Sequence, residues 1–351
     1  MPIPLRGARV LVTGGASFIG SHLVHALLQR DAQVRVVDDL SSGRRDNLSA
    51  RIDPEGLDFR EADLLDPGVA EQAVEDVDVV FHLAAVHGGR GFVDTHQAET
   101  SLNFALDSLV IHAARAAGVQ QFVFASSGCV YPVGMQMDVG QELFLAEDAV
   151  GPPYHADNIY GWAKLMTELT LRAFAREHGF RSVSCRLFTV FGEHGHENHA
   201  IHAMIARALV GQDPFEVWGD GRQVRNWTHV SDTVAGLLAA AEHIDDGSAV
   251  NLGTTERTRV VDAVRLILGQ VGHAPEIRFR PEMPTGPLNR AADITRAREL
   301  CGWSPRVSFT EGIRRTIAWY RATQDLDALR AGLPERLLER GRPQARDEVG
   351  S

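Results

Sequence analysis

The stretch that decides the fold is Val10-Leu11-Val12-Thr13-Gly14-Gly15-Ala16-Ser17-Phe18-Ile19-Gly20. An apolar run, a glycine-rich turn and a helix in this order are typical of a dinucleotide-binding unit. Gly14 permits the tight turn and Gly20 close packing of helix on sheet, so free N–H groups at the helix start would face a pyrophosphate. Ser17 stands where glycine is usual, and its hydroxyl could itself bond a phosphate. A glycine-rich turn without a ligand is the alternative.

The second predicted strand, 34–37, strengthens this interpretation. It ends in Asp38-Asp39, about twenty residues past the turn, where a carboxylate accepts hydrogen bonds from an adenosine ribose. A carboxylate there repels a 2′-phosphate and favours NAD over NADP, although Arg44 and Arg45 follow closely. A simple loop cap is the other interpretation of Asp38.

Strands and helices alternate over the first 190 residues, which predicts right-handed crossovers and a doubly wound sheet. The predicted strands are 10–13, 34–37, 79–83, 122–125 and 182–188, and the predicted helices are 20–30, 67–75, 103–117 and 159–178. After Gly192 the pattern is mixed, with helices expected near 200–210, 230–241 and 310–320, a strand at 215–218 and a loop-dominated stretch at 272–289.

Composition limits the class of protein. A chain of 351 residues can bury a substantial core, and its net charge of −11 argues against nucleic acid as a partner. Its three cysteines are too few and too scattered for a disulfide framework or a zinc site. We find no signal peptide and no apolar run of about 18 residues, so no membrane association is expected and the expected location is the cytoplasm.

Four residues predict an enzyme. Tyr160 and Lys164 lie one helical turn apart, so the ammonium would favour the phenolate and make it a base. Ser127 could share the substrate hydroxyl, and Cys129 could act as a second acid or base from the same strand end. An ordinary helical pair, and a cysteine that only fills space, are the alternatives.

These motifs resemble the extended short-chain dehydrogenase/reductases, the NAD-dependent epimerase/dehydratase family, from about Arg9 to Tyr320. The matching runs are the glycine turn, Asp38-Asp39-Leu40-Ser41-Ser42-Gly43, His82-Leu83-Ala84-Ala85, Tyr160-Gly-Trp-Ala-Lys164, Gly219-Asp-Gly-Arg-Gln-Val-Arg225, Arg290-Ala-Ala-Asp293 and Gly302-Trp-Ser-Pro305. The resemblance implies an α/β fold, a Rossmann-type doubly wound parallel sheet with a smaller C-terminal α/β lobe. The expected units are an NAD-binding domain (1–190), a substrate-binding lobe (191–325, with chain crossings) and a charged tail (326–351).

Within the family, the run Ser127-Gly128-Cys129-Val130-Tyr131-Pro132 is similar to the GDP-mannose 3,5-epimerases and GDP-fucose synthases. Their cysteine at this position is an acid/base at sugar carbon, which the resemblance assigns to Cys129. The second acid/base implied is His199, with three other histidines, His194, His196 and His202, crowding the same loop. These histidines lack the supporting spacing of a metal site, so no metal is expected.

The resemblance also implies the complete site. The cofactor NAD would contact Gly14, Ser17, Phe18, Ile19, Gly20, Asp38, Asp39, Ser42, Gly43, Asp63, Leu64, Leu83, Ala84, Ala85, Asn103, Tyr160 and Lys164. The substrate would contact His87, Gly88, Ser127, Thr189, Asn198, Trp218, Arg225 and Arg290. The two arginines are the expected clamp on its diphosphate.

The expected function is therefore an NAD-dependent epimerase of GDP-, UDP- or dTDP-hexoses that acts through a 4-keto intermediate and inverts C3, C5 or both. A 4-epimerase in which Cys129 is a bystander remains an alternative. An NADPH-dependent epimerase–synthase is disfavoured by Asp38. A non-catalytic NAD-binding module would predict loss of Tyr160 or Lys164, and both are present. The resemblance implies a homodimer through helices 103–117 and 159–178.

Overall fold

The glycine-rich turn lies between the first strand and the first helix, as predicted. The structure is a computed structural model that describes residues 4–49 and 56–337. Val10 and Val12 pack on one face of the sheet and Leu11 on the other, which is the period-two pattern of a strand buried on both faces. Gly14 adopts a φ of +68°, and a Cβ there would lie 2.9 Å from the main-chain nitrogen of Ala84. Glycine is therefore required at this turn.

Seven parallel strands form the main sheet. These seven are among the thirteen strands of the described residues, which are β1 (Arg9–Thr13), β2 (Gln33–Asp38), β3 (Leu57–Glu61), β4 (Val79–His82), β5 (Gln121–Ser127), β6 (Ser182–Leu187), β7 (Val190–Phe191), β8 (Phe215–Trp218), β9 (Val224–Arg225), β10 (Thr228–His229), β11 (Ala249–Leu252), β12 (Thr258–Arg259) and β13 (Ile277–Arg280). The order of the strands across the main sheet is β11-β6-β5-β4-β1-β2-β3, and all neighbours are parallel. The direction in which successive strands are added to the sheet reverses between β1 and β4. This Rossmann-type arrangement places a ligand crevice at the carboxyl ends of those strands.

Helices cover both faces of the sheet and build a separate layer beyond it. They are α1 (Phe18–Leu28), α2 (Asp46–Ser49), α3 (Val69–Val74), α4 (Arg90–Thr95), α5 (Gln97–Thr100), α6 (Leu102–Ala116), α7 (Asn158–His178), α8 (Ala200–Leu209), α9 (Val230–His243), α10 (Val260–Val271), α11 (Thr295–Cys301), α12 (Phe309–Thr323) and α13 (Leu326–Arg336). Helices α1, α9 and α11 pack on one face, and α3, α6 and α7 on the other.

The lobe has its own apolar core. Helices α8, α10, α12 and α13 pack around the parallel pair of β8 and β13. Leu329 and Leu333 of α13 are buried there, so this part of the predicted charged tail packs on the lobe. Residues 338–351 of that tail lie outside the described residues.

The predicted elements of the first 190 residues are confirmed, but β3 and the short helices α2, α4 and α5 were not predicted there. The later part also contains elements that the periodicity missed. Strand β11 completes the main sheet although it follows residue 190, and α10 lies where no helix was predicted. Within β11, the amide of Asn251 donates to the carbonyls of Leu145 and Asp293. Its Oδ1 accepts a hydrogen bond from the Tyr131 hydroxyl at 2.7 Å. A buried asparagine interrupts an apolar pattern, and tertiary contacts such as these satisfy it. The expected loop 272–289 likewise contains β13.

Candidate active site

A cavity of about 660 Å³ runs along the carboxyl ends of β1, β2, β4 and β5 and continues into the lobe. This volume lies within the range of roughly 300–1,000 Å³ that is usual for small-molecule sites. Its lining includes most of the predicted site: Gly14, Ser17, Phe18, Ile19, Gly20, Asp38, Asp39, Ser42, Asp63, Leu64, Leu83, Ala84, Ala85, His87, Gly88, Ser127, Cys129, Tyr160, Lys164, Thr189, Asn198, His199, Trp218, Arg225 and Arg290. The fold thus brings together residues that are up to 276 positions apart, from Gly14 to Arg290.

Two predicted cofactor residues, Gly43 and Asn103, lie behind this lining. A Cβ at Gly43 would sit 2.6 Å from Oδ1 of Asp38, so the missing side chain makes room for that carboxylate. Asn103 is fully buried and bonds both the N–H and the carbonyl of Val86, each at 2.8 Å. Both residues shape the cavity wall indirectly.

The carboxylate of Asp38 is buried at the end of β2. It accepts hydrogen bonds from the main-chain N–H groups of Ala16 and Leu40, both at 2.9 Å. Burial raises its pKa above the ordinary value for aspartate, and these two hydrogen bonds oppose that effect. A carboxylate has about four acceptor positions, so capacity remains for a hydroxyl group in the cavity. The Ser17 hydroxyl lies 3.5 Å from the same carboxylate.

Tyr160 and Lys164 lie on α7, and Ser127 ends β5. The ammonium nitrogen of Lys164 lies 5.9 Å from the centre of the Tyr160 ring and 3.8 Å from Oδ2 of Asp107. Lys164 is only 1% exposed, and its nitrogen has no hydrogen-bond partner among the described residues. A buried donor without a partner at a cavity wall is the expected partner of a bound polar ligand.

The structure differs from the expectation that Lys164 makes Tyr160 a phenolate. Burial raises the pKa of Tyr160 well above its ordinary value, the charges of Cys129 and Asp107 add to this, and a hydrogen bond with Ser127 only opposes it. Burial also lowers the pKa of Lys164. The spacing of one helical turn correctly predicts proximity, but the ammonium lies closer to a carboxylate than to the phenol. In this environment Tyr160 is a phenol.

Cys129 has a cationic neighbour that the sequence did not predict. Nη1 of Arg290 lies 3.5 Å from the Cys129 sulfur, and the same guanidinium contacts Gln136 Oε1 at 2.6 Å and Asp157 Oδ2 at 3.3 Å. The main-chain N–H of Asp157 also donates to the carbonyl of Cys129 at 2.8 Å. Arg290, expected as a diphosphate clamp, therefore also holds the thiol.

Arg225 lies on β9 with a different environment. Its guanidinium donates to the carbonyls of Val224 and Thr285, both at 2.8 Å, and no carboxylate in residues 4–49 or 56–337 pairs with it. Burial, reinforced by the charges of Arg290 and Arg90, lowers its pKa to about 9. A guanidinium so placed favours a bound anion.

The histidines of the 194–202 loop divide between the cavity and the protein interior. His199 and His196 line the cavity, whereas Nε2 of His202 contacts the carbonyl of Gly192 at 2.8 Å and Nδ1 of His194 contacts the Ser21 hydroxyl at 3.0 Å. Burial and the neighbouring rings, His87 first among them, lower the pKa of His199 well below its ordinary value. His199 is therefore neutral near pH 7 and able to accept a proton.

Sequence reasoning did not single out Asp107, Asp157 or Arg90. Arg90 lines the cavity and donates to Asp157 at 2.8 Å. A carboxylate at a core-facing position of a predicted helix, as at Asp107, is a signal that could have found the first of them.

Two further classes of site are absent from residues 4–49 and 56–337. We find no group of three or more histidine, cysteine, aspartate or glutamate residues that could hold a metal ion. None of the helices in these residues is both long and apolar enough to cross a membrane.

Comparison with known proteins now identifies the family. Residues 10–253 match the family model described as the NAD dependent epimerase/dehydratase family. The chain belongs to this family. NAD is accordingly its cofactor, and the cavity fits it: Gly14 and Gly20 leave the turn bare, Asp38 retains acceptor positions and Lys164 offers a buried donor.

Several members of this family are similar to the chain over most of its length. The uncharacterized UDP-glucose epimerase YtcB of Bacillus subtilis (strain 168) is 32% identical over 89% of this chain and 97% of that protein. GDP-mannose 3,5-epimerase 1 of Oryza sativa subsp. indica is 28% identical over 91% and 83%. The structure of UDP-glucose 4-epimerase from Thermotoga maritima with UDP-glucose superposes with a TM-score of 0.80, at 30% identity, over 90% of this chain and 100% of that one.

Proposed function

We propose that this chain is an NAD-dependent epimerase of nucleotide-diphosphate sugars that forms a transient 4-keto sugar and inverts C3, C5 or both. The observation that carries the proposal is the 3.5 Å contact between Arg290 and the Cys129 sulfur, at the wall of a cavity that Tyr160 also lines. A cysteine that merely filled space would not present its sulfur to a guanidinium there.

The first proposed step is oxidation at C4. Tyr160, ionised once NAD is bound, takes the proton of the C4 hydroxyl while Ser127 orients that hydroxyl, and Lys164 would hold the cofactor ribose. NAD, when bound, supplies the acceptor for the C4 hydride and a positive ring charge that opposes the effect of burial on the Tyr160 pKa. The resulting 4-ketone acidifies the C–H bonds at C3 and C5.

The second proposed step is inversion. Neutral His199 accepts a proton from the acidified carbon on one face, and the Cys129 thiol returns a proton on the other; the opposite direction exchanges the two roles. Return of the hydride to C4 and of the Tyr160 proton to the oxygen would leave no net oxidation, and proton exchange with solvent would restore His199 and Cys129. Arg225, which lacks a carboxylate partner, and Arg290 neutralise the diphosphate, and Trp218 lies beside the nucleotide.

A 4-epimerase is the second candidate. It is favoured by the UDP-glucose epimerases among the relatives, to which the chain is 30–32% identical. In that reaction Tyr160, Lys164 and Ser127 keep their roles and Cys129 takes no part.

Incubation with GDP-mannose, UDP-glucose or dTDP-glucose in deuterated water distinguishes the candidates. We expect deuterium at C3 or C5, measured by NMR spectroscopy and mass spectrometry. Inversion at C4 without solvent label would support the 4-epimerase instead, and no turnover of any of the three would contradict both. Cys129→Ser should lose the label, whereas Cys185→Ala, which removes a thiol buried in β6, should retain it.

We also propose that two copies associate through α6 and α7, which pack side by side. Leu102, Phe104 and Leu109 on α6 and Met166 on α7 are 40–45% exposed. Exposed apolar side chains on adjacent helices favour association. Light scattering after size-exclusion chromatography should give twice the mass of one chain, and Leu109→Glu should reduce it.

A further inference from the structure

Behind the cavity, a chain of buried polar side chains leads from the first strand to Lys164. We infer that Asp107, oriented by His82 and Thr13, is a positioning residue that holds the charged Lys164 side chain at the cofactor end of the cavity. The inference rests on the proposed role of Lys164. The four residues come from β1, β4, α6 and α7, and each is at most 1% exposed.

The direction of each hydrogen bond in this chain follows from the donor count. The Thr13 hydroxyl oxygen accepts hydrogen bonds from the main-chain N–H groups of Leu83 and Ala84, both at 3.1 Å. Its single hydrogen is therefore directed to Nδ1 of His82, 2.8 Å away. Nδ1 of His82 is an acceptor, so Nε2 carries the hydrogen of the neutral ring.

That hydrogen fixes the orientation of the Asp107 carboxylate. Nε2 of His82 donates to Oδ1 at 3.0 Å, and the hydroxyl of Thr167 donates to Oδ2 at 2.8 Å. Oδ2 also lies 3.8 Å from the ammonium nitrogen of Lys164. Both oxygens are held in place, and one of them faces the ammonium.

Lys164 depends on this carboxylate for its charge. Its nitrogen lies 4.4 Å from the centre of the Phe124 ring, and the charged or titratable groups that face it are Asp107 on α6 and Tyr160 on α7. Burial lowers the pKa of Lys164, and Asp107 opposes this effect. Burial alone would raise the pKa of Asp107, but Lys164, His82 and Thr167 outweigh it and lower that pKa. The two groups therefore stabilise each other as an ion pair.

The same row of hydrogen-bonded side chains also connects the charged Lys164 to the glycine-rich turn of the predicted cofactor site. Thr13 holds the N–H of Ala84, and the Ala84 main chain packs directly against Gly14 of the glycine-rich turn. One set of hydrogen bonds thus positions the turn, the end of β4 and the lysine relative to each other. A point charge on a flexible stem gains most from such a fixed counter-charge.

The test is the pH dependence of NAD affinity, measured by calorimetry between pH 6 and pH 10 on the full-length protein. Asp107→Asn removes the negative charge beside Lys164. The pH at which NAD affinity declines should therefore be at least about one unit lower than in the unchanged protein. This shift corresponds to a tenfold or larger change in the Lys164 protonation equilibrium. Thr167→Val removes one hydrogen bond to the same carboxylate but retains the charge, and should shift the alkaline limb in the same direction by less than Asp107→Asn.

A second pair of variants covers the case in which Asp107→Asn does not fold. His82→Gln retains an amide donor in place of Nε2 and should preserve the pH profile, whereas His82→Leu should shift it in the direction of Asp107→Asn. A folded Asp107→Asn, or in its absence a folded His82→Leu, with an unshifted alkaline limb would overturn the inference. Because NAD binding is measured without a sugar, this outcome is independent of which carbon is inverted, and failure of the proposed epimerisation leaves it unaffected.

Discussion

The cavity wall and the residues directly behind it contain two sets of three residues with the same types of chemical group and different geometry. The tyrosine side consists of Tyr160, Lys164 and Asp107, and the cysteine side consists of Cys129, Arg290 and Asp157. Each set combines a weak acid, a cation and a carboxylate. On the tyrosine side the cation lies 5.9 Å from the ring centre of the acid and 3.8 Å from the carboxylate. On the cysteine side the cation lies 3.5 Å from the sulfur and 3.3 Å from the carboxylate.

The two sides differ because the shape of a cation determines which neighbouring groups it can contact. A guanidinium has several N–H groups in one plane, so Arg290 contacts the thiol, the carboxylate of Asp157 and Gln136 at once. An ammonium is a compact charge, and Lys164 is held toward its carboxylate. The Cys129 thiol therefore contacts its guanidinium directly. The Tyr160 phenol interacts with the Lys164 ammonium only through long-range electrostatics or through a ligand bound in the cavity.

The largest effect is expected on the tyrosine side. Tyr160→Phe removes the general acid/base for the C4 hydroxyl and should reduce turnover by about 10²–10⁴-fold, in oxidation at C4 as well as in inversion. Product formation followed by NMR spectroscopy measures it. Tyr154→Phe, which alters a half-buried tyrosine outside the cavity lining, should retain full activity. Normal turnover of Tyr160→Phe would remove the phenol from the mechanism.

The second-largest expected effect distinguishes the role of the cysteine side from that of the tyrosine side. Cys129→Ser should reduce solvent deuterium incorporation at C3 or C5 by about 10²-fold, the lower end of the range for a general acid/base. Reduction of NAD on mixing with the sugar nucleotide, read as absorbance at 340 nm, should continue because the tyrosine side is intact. Loss of both activities to the same extent would instead mean that Cys129 supports the cavity as a whole.

A smaller effect is expected when the contact between Arg290 and the Cys129 thiol is altered. Arg290→Lys retains a positive charge and loses the planar fork, so alkylation of Cys129 by iodoacetamide should slow about tenfold, equivalent to about 1.4 kcal/mol. Arg222→Lys, which alters an exposed arginine outside the cavity lining, should leave the rate unchanged. Equal rates in both variants would show that the guanidinium contact does not control the thiol.

The smallest expected effect concerns Tyr160, whose phenol should not ionise up to pH 9 in the protein without added cofactor. Because burial raises the pKa of Tyr160, the protein without added cofactor should show no phenolate absorbance at 295 nm from this residue at pH 9. The titration curves of the unchanged protein and of Tyr160→Phe should therefore coincide up to that pH. A phenolate lost in Tyr160→Phe below pH 8 would mean that Lys164 overcomes burial without help, and the two sides would then behave alike.

Prediction from sequence succeeded where the signal is local. The turn at 10–20, the carboxylate at the end of β2 and the pairing of Tyr160 with Lys164 each follow from spacings of a few residues, because strand and helix periods fix which side chains share a face. The confirmed elements of the first 190 residues have the same origin. Asn251 in β11 shows the limit, since this polar residue within a buried strand is satisfied by groups from distant segments, namely the carbonyls of Leu145 and Asp293 and the Tyr131 hydroxyl.

The fold class, the family and the cofactor could thus be predicted from short sequence patterns alone, because those patterns do not depend on distant contacts. The contact of Arg290 with a sulfur 161 positions away, the approach of Asp107 to Lys164 and the raised pKa of Tyr160 became visible only in the folded molecule. The physical reason is that protonation and ion pairing depend on burial and on neighbours brought together by chain closure. Neither property can be read from spacing along the chain.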